Sequence, residues 1–174
     1  MTATTEQDRR YQEAAAQLGA ALERLARGYE ANPERCRDLI QDIHVALWRS
    51  LGLFDGRCSL RTWVYRVAHN AATSHILGEK RRRTGHWTTL DEAGHIGDGS
   101  DIEADLQRQQ ALQRLKTLIH SLEPADRQVM LLYLEGIDAA AMAEITGLKA
   151  SHVATKIHRI KALLSRRFHE GEPS

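Results

Sequence analysis

Apolar residues recur at intervals of three and four along most of the chain, without the strict alternation that marks β-strands. Such helical patterns run from about residue 8 to 83 and from about 104 to 169. Between them, from 84 to 101, glycines and polar residues interrupt every period. The sequence therefore predicts an all-α protein with two small helical domains, over 8–83 and 106–169, joined by a flexible acidic linker over 84–105.

The second half contains residues that typically start and end short helices joined by tight turns. A helix is predicted from about 125 to 135, and Asp138 is placed to cap a short helix from 139 to 146. Gly147 then makes a tight turn, after which Ser151 can cap a longer helix. A short helix, a glycine turn and a longer helix form a helix-turn-helix, whose second helix enters the major groove of DNA.

The last predicted helix has one narrow apolar stripe and a polar face opposite to it. That face holds no acidic residue, and its basic and hydroxyl groups suit contacts to phosphates and base edges. The candidate DNA-contacting residues are Lys149, Ser151, His152, Thr155, Lys156 and Arg159. The alternative is a helical bundle whose basic face is merely solvated. Because a face of mixed charge would be equally well solvated, DNA binding is favoured.

Residues 36–51 form a predicted amphipathic helix, with a buried stripe made by Leu39, Ile40, Ile43, Leu47 and Leu51. Outside this stripe, Val45 and Trp48 lie among acidic, amide and basic side chains. A polar face that is partly apolar favours a protein partner, with Trp48 as its anchor. The alternative is that Trp48 packs beneath the N-terminal helix.

The next predicted helix, from Ser59 or Leu60 to about residue 80, has a core side and a basic side. On the basic side, aromatic, amide and hydroxyl groups are interleaved with cations, and the helix ends in a basic run. Such groups can stack on unpaired bases, hydrogen-bond to them and follow a phosphate backbone. The candidate residues are Arg61, Thr62, Tyr65, Arg66, His69, Asn70, Thr73, Lys80, Arg81, Arg82 and Arg83. The alternative is a basic helix with a purely structural role.

The charge is nearly neutral overall but segregated along the chain. With 42% apolar and 27% charged residues, and 24 Lys and Arg against 23 Asp and Glu, the composition is that of an ordinary globular protein. From 56 to 83 there are seven basic residues and one acid, from 88 to 105 six acids and no Lys or Arg, and from 145 to 169 six basic residues and no acid. Two basic surfaces separated by an acidic segment favour binding to a polyanion.

Several classes of protein are disfavoured. The polar N-terminus is unlike a secretory signal, and the longest apolar runs are too short to cross a bilayer, so we expect no membrane insertion. Cys36 and Cys58 are expected to be reduced thiols. The nine histidines suggest a metal-binding or sensor protein, but no two are spaced by three or four positions and none has a cysteine partner in reach. Because no nucleophile, phosphate loop or paired-carboxylate motif is visible, we expect no metal, no cofactor and no enzymatic activity.

Two groups of motifs stand out when the halves are considered together. The first half contains 38–43 with Trp48, followed by 59–70, and the second contains 122–129, Gly136, 142–145, Gly147 with Leu148, and 153–160. In this order and separation, these residues resemble the extracytoplasmic-function sigma factors. These are the smallest members of the sigma-70 family of bacterial RNA polymerase sigma factors, and they keep only the second and fourth conserved regions. The resemblance covers most of the chain.

The resemblance implies a role for each surface. The helix from Asp38 to Trp48 would dock on the coiled-coil clamp of the largest polymerase subunit. The segment from Arg61 to Arg83 would recognise and melt the minus-ten promoter element, and the helix from Ser151 would recognise the minus-thirty-five element. The acidic linker would thread into the RNA path of the polymerase. The implied polymerase-binding residues are Asp38, Leu39, Gln41, Asp42, Val45 and Trp48.

The predicted function is that of a non-catalytic sigma factor, which binds core RNA polymerase, directs it to promoter DNA and helps to open the duplex. The resemblance also implies control by an anti-sigma factor and a cytoplasmic location, with any membrane attachment made through that inhibitor. The alternative is a helix-turn-helix transcriptional regulator of the response-regulator effector type. That class would explain residues 122–168 but not the helix from Asp38 to Trp48. Many family members carry an acid and an arginine where this chain has Ser74 and Leu77, so no promoter sequence is implied.

Overall fold

The structure of the protein, a computed structural model, describes the backbone of residues 2–83 and 102–170 and the side chains of residues 6–82 and 103–170. These residues form α1 (Thr2–Tyr29), α2 (Pro33–Leu51), α3 (Leu60–Arg83), α4 (Ile102–His120), α5 (Pro124–Leu134), α6 (Ala139–Thr146) and α7 (Ala150–Glu170). No strand occurs in these two ranges, and the all-α prediction is confirmed. The predicted acidic linker lies outside the described residues as far as residue 101.

Helices α1, α2 and α3 form the first bundle. Asn32 starts α2, because its Oδ1 accepts hydrogen bonds from the backbone N–H groups of Glu34 and Arg35, both at 3.0 Å. Pro33 follows in the first turn, where its missing N–H is not needed. Four of the five residues of the predicted stripe are buried, namely Leu39, Ile43, Leu47 and Leu51, and the fifth, Ile40, is half-buried against the core. This packing fixes which side of α2 faces outward.

Helices α4 to α7 form the second bundle, and α6, a short turn and α7 make the predicted helix-turn-helix. Asp138 caps α6 as predicted, since its Oδ1 accepts a hydrogen bond from the N–H of Ala141 at 2.9 Å. Gly147 ends α6 with a φ of +76°, a left-handed backbone conformation that residues other than glycine rarely adopt. The turn therefore sets the start and direction of α7.

The predicted cap at Ser151 is wrong. Helix α7 begins at Ala150, and the carbonyl of Lys149 accepts its first hydrogen bond, from the N–H of Val153 at 3.0 Å. Ser151 therefore lies within the first turn, where its side chain is exposed. The outward position predicted for this residue does not depend on a capping role.

Helix α4 starts earlier than the sequence predicts. It begins at Ile102, so Glu103 and Asp105 lie in its first turn, although the linker was predicted to extend to residue 105. Acidic side chains are stabilising at a helix N-terminus, where the exposed backbone N–H groups carry partial positive charge. The last acids of the predicted linker therefore start the second bundle.

The two bundles pack against each other and share one hydrophobic core. Buried side chains of the core include Leu25 and Tyr65 from the first bundle and Leu131 and Ile145 from the second. The backbone of α1 comes close to α5 at Gly28, where an added Cβ would lie 2.5 Å from Leu131 Cδ2. As a consequence, the second bundle also covers part of the α3 side that was predicted to face outward.

Candidate polymerase and DNA interfaces

The outer face of α2 exposes both apolar and polar side chains. Val45 and Trp48 are 43% and 40% exposed, and Leu53, just beyond the helix, is 79% exposed. The predicted polar members of this face are also exposed: Asp38, Gln41 and Asp42. Leu39 is fully buried and supports this face from beneath, so in this arrangement it does not form part of the surface. Exposed apolar groups beside acids suit a protein partner.

Helix α1 holds one edge of Trp48. The indole Nε1 donates a hydrogen bond to Asp8 Oδ1 at 2.8 Å, and the side-chain amide of Gln7 donates to the backbone oxygen of Trp48 at 2.6 Å. The two alternatives raised by the sequence therefore both apply in part. The indole is positioned by the N-terminal helix, yet much of the side chain remains available to a partner. Neither Leu53 nor Asp8 was predicted to belong to this surface, because no periodic pattern includes them.

The α3 face predicted to bind unpaired bases is accessible only in part. Arg61 and Asn70 are exposed, and the Arg61 guanidinium lies 5.8 Å from the centre of the Tyr65 ring. Thr62, Tyr65 and His69 are buried where the second bundle packs on the first. Their placement at a strand-binding surface stays a prediction, since in this arrangement a strand does not reach them.

The remaining residues predicted for this face continue toward the end of α3. Arg66 Nη2 donates to the backbone oxygen of Glu144, in α6, at 2.6 Å. Thr73 is half-buried. Side chains near the end of the helix are exposed, namely Lys80, Arg81 and Arg82. The side chain of Arg83 lies outside the described residues.

A buried hydrogen bond joins α3 to α1. The Tyr29 hydroxyl and His69 Nδ1 are 2.7 Å apart. Burial lowers the pKa of His69 from 6.5 to about 3, so the ring is neutral near neutral pH. Burial also raises the pKa of the Tyr29 hydroxyl, which therefore stays protonated. Neither group carries charge into this part of the core.

The predicted duplex-binding residues lie together on α7 and the turn before it. Lys149, Ser151, His152, Thr155 and Arg159 are exposed, and Lys156 is half-buried. Asp126, in the first turn of α5, forms ion pairs with Lys156 and with Arg159, whose Nη2 lies 3.3 Å from Asp126 Oδ2. Asp126 was not predicted to belong to this surface, because the pairing depends on how α5 packs against α7. It places a negative charge beside two of the candidate DNA-contacting cations.

A second unpredicted contact ties the two bundles together through Arg127. Its Nη1 donates to the backbone oxygen of Tyr29 at 3.2 Å, and its Nη2 donates to the backbone oxygens of Leu122, at 3.1 Å, and of His120. The guanidinium also lies 5.8 Å from the centre of the Tyr29 ring. Burial lowers the pKa of Arg127. The end of α1 is thereby held against the turn between α4 and α5.

Over residues 6–82 and 103–170, no three His, Cys, Asp or Glu side chains are grouped so that they could hold a metal ion. Cys36 is buried, which raises the pKa of its thiol, and Cys58 is half-buried; neither is in a disulfide. None of the helices in the described part of the chain is long and apolar enough to span a bilayer.

Two family models match the chain, one in each bundle. The model of sigma-70 region 2 matches residues 15–82, within α1–α3, and the model of sigma-70 region 4 matches residues 112–164, from α4 to α7. Together the two matches cover more than half of the chain. The match in the first bundle disfavours the alternative regulator, which would account for the second bundle alone.

Relatives of this chain include RNA polymerase sigma factors. The chain is 25% identical over 134 residues to the ECF RNA polymerase sigma-E factor of Haemophilus influenzae, covering 73% of this chain and 71% of that protein. It is 26% identical over 156 residues to the RNA polymerase sigma factor CnrH of Cupriavidus metallidurans, covering 86% of this chain and 82% of that protein. The matched stretches include segments of both bundles.

Two solved structures share the fold over nearly the whole chain. One is CnrH in complex with the cytosolic domain of CnrY, with a TM-score of 0.69 and 21% identity over 98% of this chain and 95% of that one. The other is the sigma factor RpoE in complex with the anti-sigma factor NepR from Bartonella quintana, with a TM-score of 0.71 and 17% identity over 94% and 98%. The resemblance noted in the sequence is confirmed, and the chain belongs to the extracytoplasmic-function group of the sigma-70 family of RNA polymerase sigma factors.

Proposed function

We propose that this sigma factor divides its work between its two bundles. The first, over 8–83, binds core RNA polymerase through α2 and captures one strand of the minus-ten element with α3. The second, over 106–169, recognises the minus-thirty-five duplex with α7, while the segment 84–105 follows the RNA path of the polymerase. The polymerase performs the chemistry, and this chain supplies recognition and binding free energy.

One observation carries the proposal: the two family models match successive segments of the chain, and each segment includes a surface of different chemistry. The region 2 match includes the α2 face, where apolar groups lie beside Asp38 and Asp42. Such a face suits a protein and repels DNA. The region 4 match includes α7, whose outer face presents basic and hydroxyl groups that suit phosphates and base edges. The two surfaces support two different partners.

Strand capture by α3 is supported by the side chains that are already accessible. Arg61 and Asn70 can bind a phosphate and a base edge, and the exposed cations over 80–82 can follow a backbone. Tyr65 offers a ring for stacking, but only after the second bundle has moved away from it. Promoter opening by this chain therefore includes a separation of the two bundles.

Control by an anti-sigma factor, in the cytoplasm where RNA polymerase works, is part of the same proposal. The two solved structures described above are complexes, one with the cytosolic domain of CnrY and the other with the anti-sigma factor NepR. The exposed side chains Val45, Trp48 and Leu53 support it, because apolar groups at the surface favour covering by a partner protein. An inhibitor on this face would compete with polymerase.

Variants that separate the two partners test the division of work. Replacing Asp38 and Trp48 together by alanine is expected to weaken binding to core polymerase and to leave duplex binding unchanged, whereas Trp48→Phe, which keeps an aromatic ring, retains most binding. Arg159→Ala is expected to cost about 1–3 kcal/mol of duplex binding and to leave polymerase binding unchanged. Arg166→Ala removes the same charge further along α7 and is its control. Equal loss of both activities in either variant contradicts the proposal.

A further inference from the structure

The first turns of α1 reach the outer face of α2, on which the proposed function places polymerase binding. Four side chains of α1 contact α2 or the turn that follows it, and together they form an N-terminal clasp: Gln7, Asp8, Arg10 and Tyr11. The match to sigma-70 region 2 begins at residue 15 and does not include them. The clasp is therefore a feature of this chain that the family match leaves without a role.

The clasp holds Trp48 at two points. The indole Nε1 donates a hydrogen bond to a carboxylate oxygen of Asp8 at 2.8 Å, and a charged acceptor strengthens such a bond. Gln7 Nε2 donates to the backbone oxygen of Trp48 at 2.6 Å, in the last turn of α2, where carbonyls lack partners within the helix. One turn earlier in α2, the Tyr11 hydroxyl and His44 Nδ1 are 3.0 Å apart. The ring and the backbone of Trp48 are thus both fixed against α1.

The clasp also holds the turn after α2. Arg10 Nη1 donates to the backbone oxygen of Phe54 at 3.0 Å, and the guanidinium lies 5.6 Å from the centre of the Phe54 ring. That ring packs edge-on against Trp63 of α3, with ring centres 5.4 Å apart. Leu53, immediately before Phe54, is 79% exposed, and its N–H donates to the backbone oxygen of Ser50 at 2.9 Å. The turn is therefore fixed while Leu53 points outward.

We propose that the N-terminal clasp is part of the polymerase-binding site, because it holds Trp48 and Leu53 in the outward positions that core polymerase contacts. This inference rests on the proposed function, since it concerns the same face of α2. A mobile side chain must be ordered when a partner binds, and that ordering lowers the affinity. The clasp orders the Trp48 ring in advance, and such rings are frequent anchors of protein interfaces. Asp8 is thus a positioning residue, which acts through Trp48.

The affinity of the full chain for core RNA polymerase tests this role. Asp8→Ala is expected to weaken binding about threefold, because ordering one large side chain accounts for a factor of roughly two to ten. Asp8→Asn removes the charge but keeps an oxygen acceptor for the indole, so it is expected to bind as the wild type does. Glu13→Ala removes another acid of α1, one that pairs with Arg9 and Gln17 of the same helix, and is the control without effect.

Nuclear magnetic resonance of the indole N–H groups in the isotope-labelled chain reports the positioning itself. The heteronuclear NOE measures picosecond-to-nanosecond motion, and the Trp48 signal is assigned by its absence from Trp48→Phe. The Trp48 indole is expected to be rigid in the wild type and in Asp8→Asn, and mobile in Asp8→Ala. The Trp63 indole, which donates to Ser50 Oγ at 3.1 Å, is the internal reference and should stay rigid throughout. A general loss of structure would loosen both indoles.

A double-mutant cycle shows whether Asp8 acts through Trp48. Trp48→Phe keeps a ring but lacks the N–H donor, so Asp8→Ala is expected to cause no further loss of polymerase binding in that background. Gln7→Leu removes the contact to the Trp48 backbone and is expected to weaken binding in the same direction. It takes the place of Asp8→Ala if far-ultraviolet circular dichroism shows that Asp8→Ala has lost helix.

Several results would overturn the proposal. The Trp48 indole could stay rigid in Asp8→Ala, or become mobile without any change in affinity. Equal weakening by Asp8→Asn and Asp8→Ala would show that the Asp8 charge meets polymerase directly, and a further loss in the Trp48→Phe background would show that Asp8 does not act through the indole. All four contradict the role of the clasp alone. A wild-type chain that keeps Trp48 rigid but does not bind core polymerase contradicts the proposed function as well, so the two failures are distinguishable.

Discussion

Mild acidification is expected to destabilise the protein through one buried ring. His69 is 1% exposed, and the Tyr29 hydroxyl lies 2.7 Å from its Nδ1. Burial lowers its pKa from 6.5 to about 3. The unfolded chain therefore binds this proton as the pH falls through 6.5, whereas the folded chain stays neutral until about pH 3. The stabilisation is complete well above 6.5 and is lost progressively between these two values.

The size of the effect follows from the two pKa values. A proton bound only by the unfolded state lowers the free energy of unfolding by about 1.4 kcal/mol for each pH unit below the unfolded pKa. Of the interval from about pH 7.5 to about pH 5.5, about one pH unit lies below the unfolded pKa of 6.5. His69 alone should therefore lower the free energy of unfolding by about 1.4 kcal/mol over this interval. Burial also lowers the pKa of His120, which adds a change of the same sign. Only a comparison of variants isolates His69.

Urea denaturation at these two pH values, for the wild type and for His69→Gln, measures that difference. Glutamine keeps a hydrogen-bonding amide near Tyr29 but does not titrate. Between the two pH values, the free energy of unfolding of the wild type is expected to fall by about 1.4 kcal/mol more than that of His69→Gln. The control, His158→Gln at an exposed histidine of α7, is expected to follow the wild type. Parallel pH profiles for wild type and His69→Gln would refute the argument from burial.

Three further predictions follow from individual contacts. Asp126→Asn removes the ion pairs of Lys156 and Arg159, so duplex binding is expected to strengthen and its salt dependence to steepen. Weaker binding at every salt concentration would instead show that Asp126 orients the two cations. Asn32→Ala removes the cap of α2 and is expected to cost about 1 kcal/mol in urea denaturation, with duplex binding unchanged. Neutralising the cations over 80–82 is expected to flatten the salt dependence of single-strand binding by the polymerase complex, and an unchanged slope counts against a backbone contact there.

The helices were predictable because their signals are local. The apolar spacing of α2, the cap at Asp138 and the glycine turn at Gly147 each depend on residues within a few positions of one another. The covering of α3 was not predictable in this way. Thr62 and Tyr65 form part of a polar outer face when α3 is considered alone, and the packing of α5 and α6 is what turns that face into an internal boundary.

In the candidate surfaces, too, local features were predictable and contacts between distant helices were not. The outer faces of α2 and α7 could be predicted, because exposure there is set by which side of one helix is apolar. The pairing of Asp126 with Lys156 joins residues 30 positions apart, and the hydrogen bond from Arg127 to Tyr29 joins residues 98 positions apart. No periodicity links such positions, since their contact is decided by the packing of one helix on another.

Transcription by purified core RNA polymerase, with and without this chain, on a library of genomic fragments is the most direct test of the central claim. The chain is expected to bind core polymerase and to produce discrete new start sites, each preceded by the same pair of short sequence elements. Arg159→Ala should reduce these transcripts while the polymerase complex still forms. If the chain binds duplex DNA but neither joins core polymerase nor produces new start sites, the assignment of α2 and α3 to polymerase binding and strand capture is contradicted.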